Sequence, residues 1–269
     1  MSRYAASKVL AWSAAARSVE YATMHMIGEE PLSIRVQGRP YVVIMRTPGD
    51  ERAHAAGLCL GEGIVQAPTD IAQLAFCDGA DTNTVTVTLT DACARRRDRK
   101  ADRRAYISQT GCGLCGKELI QDLNTEIRPI SAPVAVPIAL AEKALHDLDR
   151  RQPLRDKTRA AHAAVIHDDS GNHLAAAEDV GRHNALDKAI GRLFLDHRLP
   201  EAAMIVLSSR ISYELVQKAA CARIPIIVAI SRPTALAVAL AESLNMALAS
   251  RKPGGGLWVY TAARRLQVD

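Results

Sequence analysis

With 269 residues, 48% of them hydrophobic, the chain is long enough for one large core or two smaller ones. Lys and Arg total 34 against 29 Asp and Glu, a formal charge of +5, and aromatics make up only 4%. This mild, locally clustered excess fits an anionic small molecule or an acidic partner and speaks against nucleic acid as a partner. The apolar runs Ile224–Ile230 and Ala235–Ala241 fall short of the ~20 residues a spanning helix requires, so no membrane partner is expected. The cysteines stand at 59, 77, 93, 112, 115 and 221, with no signal-peptide pattern ahead of them. Reduced thiols in the cytoplasm follow.

In chain order, residues 1–25 read as a flexible N-terminus. Ser33–Val36, a Gln-Gly-Arg turn and Tyr41–Met45 read as a hairpin. Pro48 holds Thr47 extended, and Asp50 is placed to cap a helix over Glu51–Leu60. Val85–Leu89 alternates branched residues as a strand does. The basic cluster Arg95–Lys100, with Arg103 and Arg104, reads either as a solvated turn between strands or as a patch that steers an anion or acidic protein. Pro129, Pro133 and Pro137 mark a boundary near 130–135, dividing a strand-rich α+β subdomain (26–135) from an α/β domain (136–269). In the second part a helix is expected from Ile138 to Leu145 and a helix end or strand over Ala163–Ile166. Asn184–Leu195, Tyr213–Cys221 and Thr234–Leu244 read as helices. Ala203–Leu207, Ile224–Ile230 and Leu257–Tyr260 read as strands. Aliphatic strands alternating with helices predict a mostly parallel sheet under helices.

Three segments carry candidate chemistry. In Gly111-Cys112-Gly113-Leu114-Cys115-Gly116, three glycines leave two thiols almost bare. Such a loop is entropically costly and hard to explain by packing. It suits a nucleophilic or persulfide-bearing thiol, half of a zinc site, or a dithiol–disulfide switch. The chain has no second Cys-x-x-Cys to complete zinc, and Gly113 and Gly116 weaken the helix start of a thioredoxin-like site. The second segment runs from Glu178 to Lys188. Arg182, His183 and Asn184 fall near a helix N-terminus, where unpaired N–H groups favour anions. Arg182 brings a planar donor fork, His183 a hydrogen bond or proton relay, and Asn184 a cap or base-edge contact. The third comprises Ser208-Ser209-Arg210 and Ser231-Arg232-Pro233-Thr234, two polar loops after successive strands, where open sheets bind ligands. Each alone also reads as a helix cap. Walker-type and Gly-x-Gly-x-x-Gly loops are absent, as is the His-x-Glu of zinc deaminases, so hydrolytic deamination is not expected.

At these residues the chain resembles the formate dehydrogenase accessory sulfurtransferase family (FdhD). The resemblance extends over Met45–Gly49, Gly61–Ile64, Cys112–Lys117, Glu178–Lys188, Ser208–Lys218 and Ser231–Thr234, the Glu178–Lys188 run being the most specific. It implies a C-terminal three-layer domain like cytidine deaminase, a smaller N-terminal subdomain and a homodimer. It implies a sulfur carrier as well. A cysteine desulfurase would load persulfide sulfur on Cys112 or Cys115. The sulfur would pass to the bis-pterin guanine dinucleotide cofactor of a molybdenum- or tungsten-dependent formate dehydrogenase. No tightly bound cofactor is implied; the cofactor is cargo, and a guanine nucleotide would mimic it. Its contacts are assigned to Arg182, His183, Asn184, Ser208, Arg210, Lys218, Ser231 and Thr234, together with Arg46 and Thr47. A non-catalytic cofactor-binding chaperone and a zinc-stabilised binding module are the alternatives. The chain departs from the family pattern at Gly57-Leu58-Cys59. It does so again at Arg159-Ala160-Ala161-His162, where Gly-Gly usually precedes the histidine, and at Ser209, where glycine is usual.

Overall fold

The computed structural model describes residues 2–78, 81–101 and 127–268. It shows a mixed α/β architecture. Strands β3 (Glu30–Val36) and β4 (Arg39–Arg46) form the expected hairpin. With β5 (Ile71–Asp78) and β6 (Asp81–Leu89) they make a sheet of order β4-β3-β6-β5. Alternation selects its inner face: Leu32, Ile34, Val36, Val85, Val87 and Leu89 are all buried. Helix α1 (Glu51–Gly61) lies in the same apolar cluster.

The second sheet has the order β13-β12-β11-β10-β8-β9. Its strands are β8 (His162–His167), β9 (His173–Asp179), β10 (Met204–Leu207), β11 (Ile226–Ala229), β12 (Ala247–Arg251) and β13 (Leu257–Val259). Parity along β10 and β11 divides the core. Ile205, Leu207, Ile227 and Ala229 join a cluster with α5 (Arg182–Leu195), α6 (Tyr213–Cys221) and α7 (Ala235–Ser243). Met204, Val206, Ile226 and Val228 join another with α3 (Ile138–His146). Strands covered on both faces read as continuous apolar runs, which is why they were visible in the sequence.

Four expectations are corrected. The sheet is mixed, not mostly parallel: β10–β11 and β11–β12 are parallel, while β8–β9, β8–β10 and β12–β13 are antiparallel. Residues 1–25 are not a loose lead-in, since β1 (Tyr4–Ser13) and β2 (Ser18–Ile27) pair in register as a hairpin. Gly28 N donates to Arg3 O at 2.7 Å and Lys157 Nζ donates to the Tyr4 hydroxyl at 2.9 Å, which ties the base of this hairpin to the chain around it. The basic run belongs to helix α2 (Asp91–Ala101) rather than a turn, with Arg96 on Asp70 at 2.7 Å; Arg103 and Arg104 lie outside the described residues. Asp50 makes no capping bond. Its backbone is left-handed at φ 60, and its carboxylate meets Arg192 at 2.6 Å.

Two sets of close contacts hold these elements in place. Helices α1 and α5 cross with glycine on each side, and a Cβ on Gly57 would lie 1.9 Å from Asp187 O, one on Gly191 1.8 Å from Ala53 O. The segment before α3 is held by Arg265, 4% exposed, whose guanidinium donates to the carbonyls of Ile130, Ala132, Val134 and Asn245. Next to it β14 (Leu266–Gln267) pairs in parallel with β7 (Val136–Pro137).

Candidate functional site

One end of the six-stranded sheet gathers most of the polar loops. Strand β8 runs antiparallel to β10, so its first residue, His162, lies at the edge where β10 and β11 end. Its neighbour β9 ends there too, pairing Asp179 with His162, and Val180-Gly181 turns into α5. The loops after β10 and β11 are joined by an Ile211–Pro233 bridge, with Thr234 N donating to Ile211 O at 3.0 Å. The topology thus places Arg182, His183, Arg210, Ser212 and Glu214 around one rim.

The chemistry of that rim is cationic with one acid. Burial lowers the pKa of Arg182, and the charge of Arg210 lowers it further, against a smaller opposing effect of Glu214. Arg182 Nε is buried without a hydrogen-bond partner among the described residues. His183 Nε2 lies 3.3 Å from Ser212 Oγ and 3.7 Å from Glu214 Oε2. Burial first, then Arg182, holds its pKa down to about 4, so the ring is neutral near pH 7. His162 is lowered in the same way, by burial and then Arg182. Burial alone would raise Glu214, but backbone and Ser212 hydrogen bonds, with the nearby charge of Arg182, outweigh it and keep the carboxylate ionised. Two guanidiniums, neutral imidazoles that can donate or accept, and the start of a 14-residue helix make a rim suited to phosphate.

Most other predicted contact residues are held by neighbours. Ser208 Oγ accepts from Ala163 N at 2.8 Å, and Thr234 caps α7 by accepting from Ala237 N at 3.2 Å. Ser231 is exposed beside it. Arg46 is fully buried among Glu30 at 3.4 Å, Glu51 at 3.1 Å and the Asn83 amide oxygen at 2.7 Å. Thr47, also fully buried, donates its N–H to Asp179 at 3.1 Å, accepts from Val180 N at its hydroxyl and accepts from Lys188 Nζ at its carbonyl. Asn184 donates to Met45 O at 2.8 Å and to Asp179 at 2.9 Å. Lys218 is paired with Asp187 at 2.8 Å. Burial raises Asp187 to about 6 and acts against the charge on Lys218, yet the attraction of Asp187 leaves the ammonium pKa raised.

These buried residues connect the loop after β4 to the turn before α5. The sequence reading missed their centre, Asp179, which accepts from Thr47, Gly181, Asn184 and Lys188. It also missed Ser212, Glu214 and Glu51. The signal was present in Asp179, which stands inside the quoted Glu178–Lys188 segment two residues before a glycine. Cys112 and Cys115 lie outside the described residues. Among the described residues no cluster of three or more His, Cys, Asp or Glu could hold a metal, and no helix is long and apolar enough to cross a membrane.

The model of the FdhD/NarQ family matches residues 27–267. The chain belongs to the FdhD/NarQ family. Relatives called sulfur carrier protein FdhD support this throughout. The Bordetella bronchiseptica protein is 38% identical over 242 residues, covering 90% of this chain and 87% of its own. The Streptomyces coelicolor protein is 36% identical over 252 residues, covering 90% and 88%. The Mycobacterium tuberculosis protein is 38% identical over 250 residues, covering 88% and 90%. A crystal structure of a Desulfotalea psychrophila protein, assigned as a formate dehydrogenase accessory protein, superposes with a TM-score of 0.78 at 22% identity, covering 99% of this chain and all of that one. At that identity the likeness establishes the fold that this family member shares.

Proposed function

We propose that this chain is a sulfur carrier that takes persulfide sulfur from a cysteine desulfurase and passes it to the bis-pterin guanine dinucleotide cofactor destined for a formate dehydrogenase. The observation that carries this reading is the family match over residues 27–267, which includes both Cys112 and Cys115. In the loading step a Cys112 or Cys115 thiolate attacks the outer sulfur of the desulfurase persulfide. A new S–S bond forms on the carrier, the old one breaks, and the desulfurase thiolate leaves, with no net change in oxidation state. The rim of Arg182, Arg210 and the α5 N-terminus would hold the phosphates of the cofactor by charge-assisted hydrogen bonds. His183, neutral near pH 7, can donate to or accept from the nucleotide. The six-stranded sheet with helices on both faces supports the three-layer, cytidine deaminase-like reading of the C-terminal half. The homodimer belongs to the same reading and rests on family membership.

The deciding experiment loads the protein with a desulfurase and measures intact mass. A gain of ~32 Da per persulfide is expected, lost when both cysteines are replaced by serine. Absence of a gain on the unmodified protein, or an unchanged gain on the double variant, overturns the sulfur-transfer step. GDP binding tests the rim separately: Arg182→Ala and Arg210→Ala should each weaken it about tenfold, the loss of one charge-assisted contact.

A further inference from the structure

At the opposite end of β8 from the phosphate-ready rim lies a cavity of about 320 Å³, between α3, the 3-10 turn Asp147–Arg151 and the turn joining β8 to β9. His162 marks one end of the strand and His167 the other, five residues along, which puts roughly 16 Å between the two places. The volume is at the lower end for small-molecule sites, about 300 Å³.

His167 lines this cavity and is only 7% exposed. Its Nδ1 is buried and has no hydrogen-bond partner among the described residues. Buried polar atoms are nearly always paired, so an orphan on a cavity wall points to a missing partner. The side chains around it have the matching charge. Lys143 from α3 and Arg151 from the 3-10 turn reach the cavity, and neither has an ion-pair partner among the described residues. Two carboxylates lie close by, and one of them, Asp147, lines the cavity itself. Asp168 accepts from Ser170 N at 3.0 Å, Asn172 N at 2.7 Å and Asn172 Nδ2 at 2.9 Å, and Asp147 meets Arg150 at 3.6 Å. His173 adds a second imidazole, its ring centroid 6.1 Å from that of His167.

We propose that this cavity binds a small phosphate-type oxyanion, free or as the phosphoryl end of a small metabolite, with Lys143 and Arg151 supplying charge and His167 a ring N–H. Donors line it from three separate elements, α3, the 3-10 turn and β8, which suits an anion with several acceptor oxygens. Binding is linked to a proton. Burial, then His173 and Arg151, hold His167 down at about 4, against weaker opposing effects of Asp168 and Asp147. A bound anion offsets the field of Arg151 and draws the ring's pKa upward.

The test is histidine ring NMR on the full chain, titrated with inorganic phosphate and, in parallel, with glycerol 3-phosphate. A saturable shift of the His167 resonances is expected, with its pKa rising by about one unit in the bound state. Saturation by inorganic phosphate alone assigns the site to the free anion; tighter glycerol 3-phosphate assigns it to a phosphoryl end. Lys143→Ala and Arg151→Ala, both at exposed positions that leave the fold untouched, should each weaken binding by about fivefold to tenfold. No saturable shift by about 10 mM of either ligand, or affinity unchanged in both variants, overturns the site. Acetate binding as tightly as phosphate overturns the choice of a tetrahedral anion.

Discussion

Gly191→Ala tests whether the crossing of α1 and α5 holds the two sheets together. The new Cβ would lie 1.8 Å from Ala53 O and 2.6 Å from Ala53 C, where ordinary contact begins at 3.4 Å. The shortfall to the oxygen is 3.4 less 1.8, or 1.6 Å, and the obstacle is backbone, which cannot swing aside as a side chain can. The helices must separate, although Ala53, Ala56 and Leu60 of α1 and Ile190 of α5 are all buried. Overpacking of this kind costs about 1–3 kcal/mol, and a backbone obstacle belongs at the upper end. Alanine returns about 1 kcal/mol of helix propensity. The net expectation is a loss of about 2 kcal/mol, read as a lower urea midpoint at unchanged slope and a fall of roughly 4–8 °C in Tm. Gly57→Ala meets Asp187 O at 1.9 Å and should lose a similar amount. Because one separation relieves both clashes, the double variant should lose less than the sum of the single ones. A Gly191→Ala protein as stable as the parent would refute the close crossing.

Lys188→Met leaves the Asp179 carboxylate buried without the ammonium now 2.7 Å away, and should cost about 3–5 kcal/mol in urea unfolding. Stability should fall as pH drops from about 7 to 5, read as a lower urea midpoint, because His54, His167 and His183 all have folded pKa values depressed below the ordinary 6.5. Their contribution is fully present above 6.5 and is lost toward their folded values as the unfolded chain takes up protons first. Asp187, raised from 3.8 to about 6, and Glu178, raised by burial, act in the opposite direction, two groups against five once His162 and His173 are counted, so a higher midpoint at the lower pH would contradict this account. Arg159→Gly should gain about 0.5–1 kcal/mol, since Arg159 ends α4 (Pro153–Thr158) in the left-handed region at φ 56, which glycine enters without strain; unchanged or lower stability in thermal unfolding would count against it.

Much of the C-terminal half was readable because its strands are covered on both faces. Met204–Leu207 and Ile226–Ala229 are unbroken apolar runs, and Tyr213–Cys221 carries a clear helical stripe. Strand β9 escaped notice because His173–Asp179 is rich in alanine and acidic residues, and β12 because Ala247–Arg251 offers little alternation. The first hairpin was missed for a different reason. Leu10, Trp12, Val19 and Tyr21 are each more than half exposed, so their pattern belongs to a pleated strand without a core to face. At the candidate site, polar residues in the quoted motifs were visible, but a one-dimensional reading does not separate those that reach a rim from those that join two sheets. Arg182, His183 and Arg210 face the rim, whereas Arg46, Thr47, Asn184 and Lys218 are consumed by neighbours. Only the chain's return from β9 to the loop after β4 makes that division.

The contacts of Arg265 have a consequence for the order in which the chain is made. The carbonyls of Ile130, Ala132 and Val134 emerge from the ribosome more than a hundred residues before the guanidinium that satisfies them. At roughly 5–20 residues per second they wait on the order of ten seconds for it. The segment leading into α3 therefore reaches its native place only after the strands of the second sheet have been made.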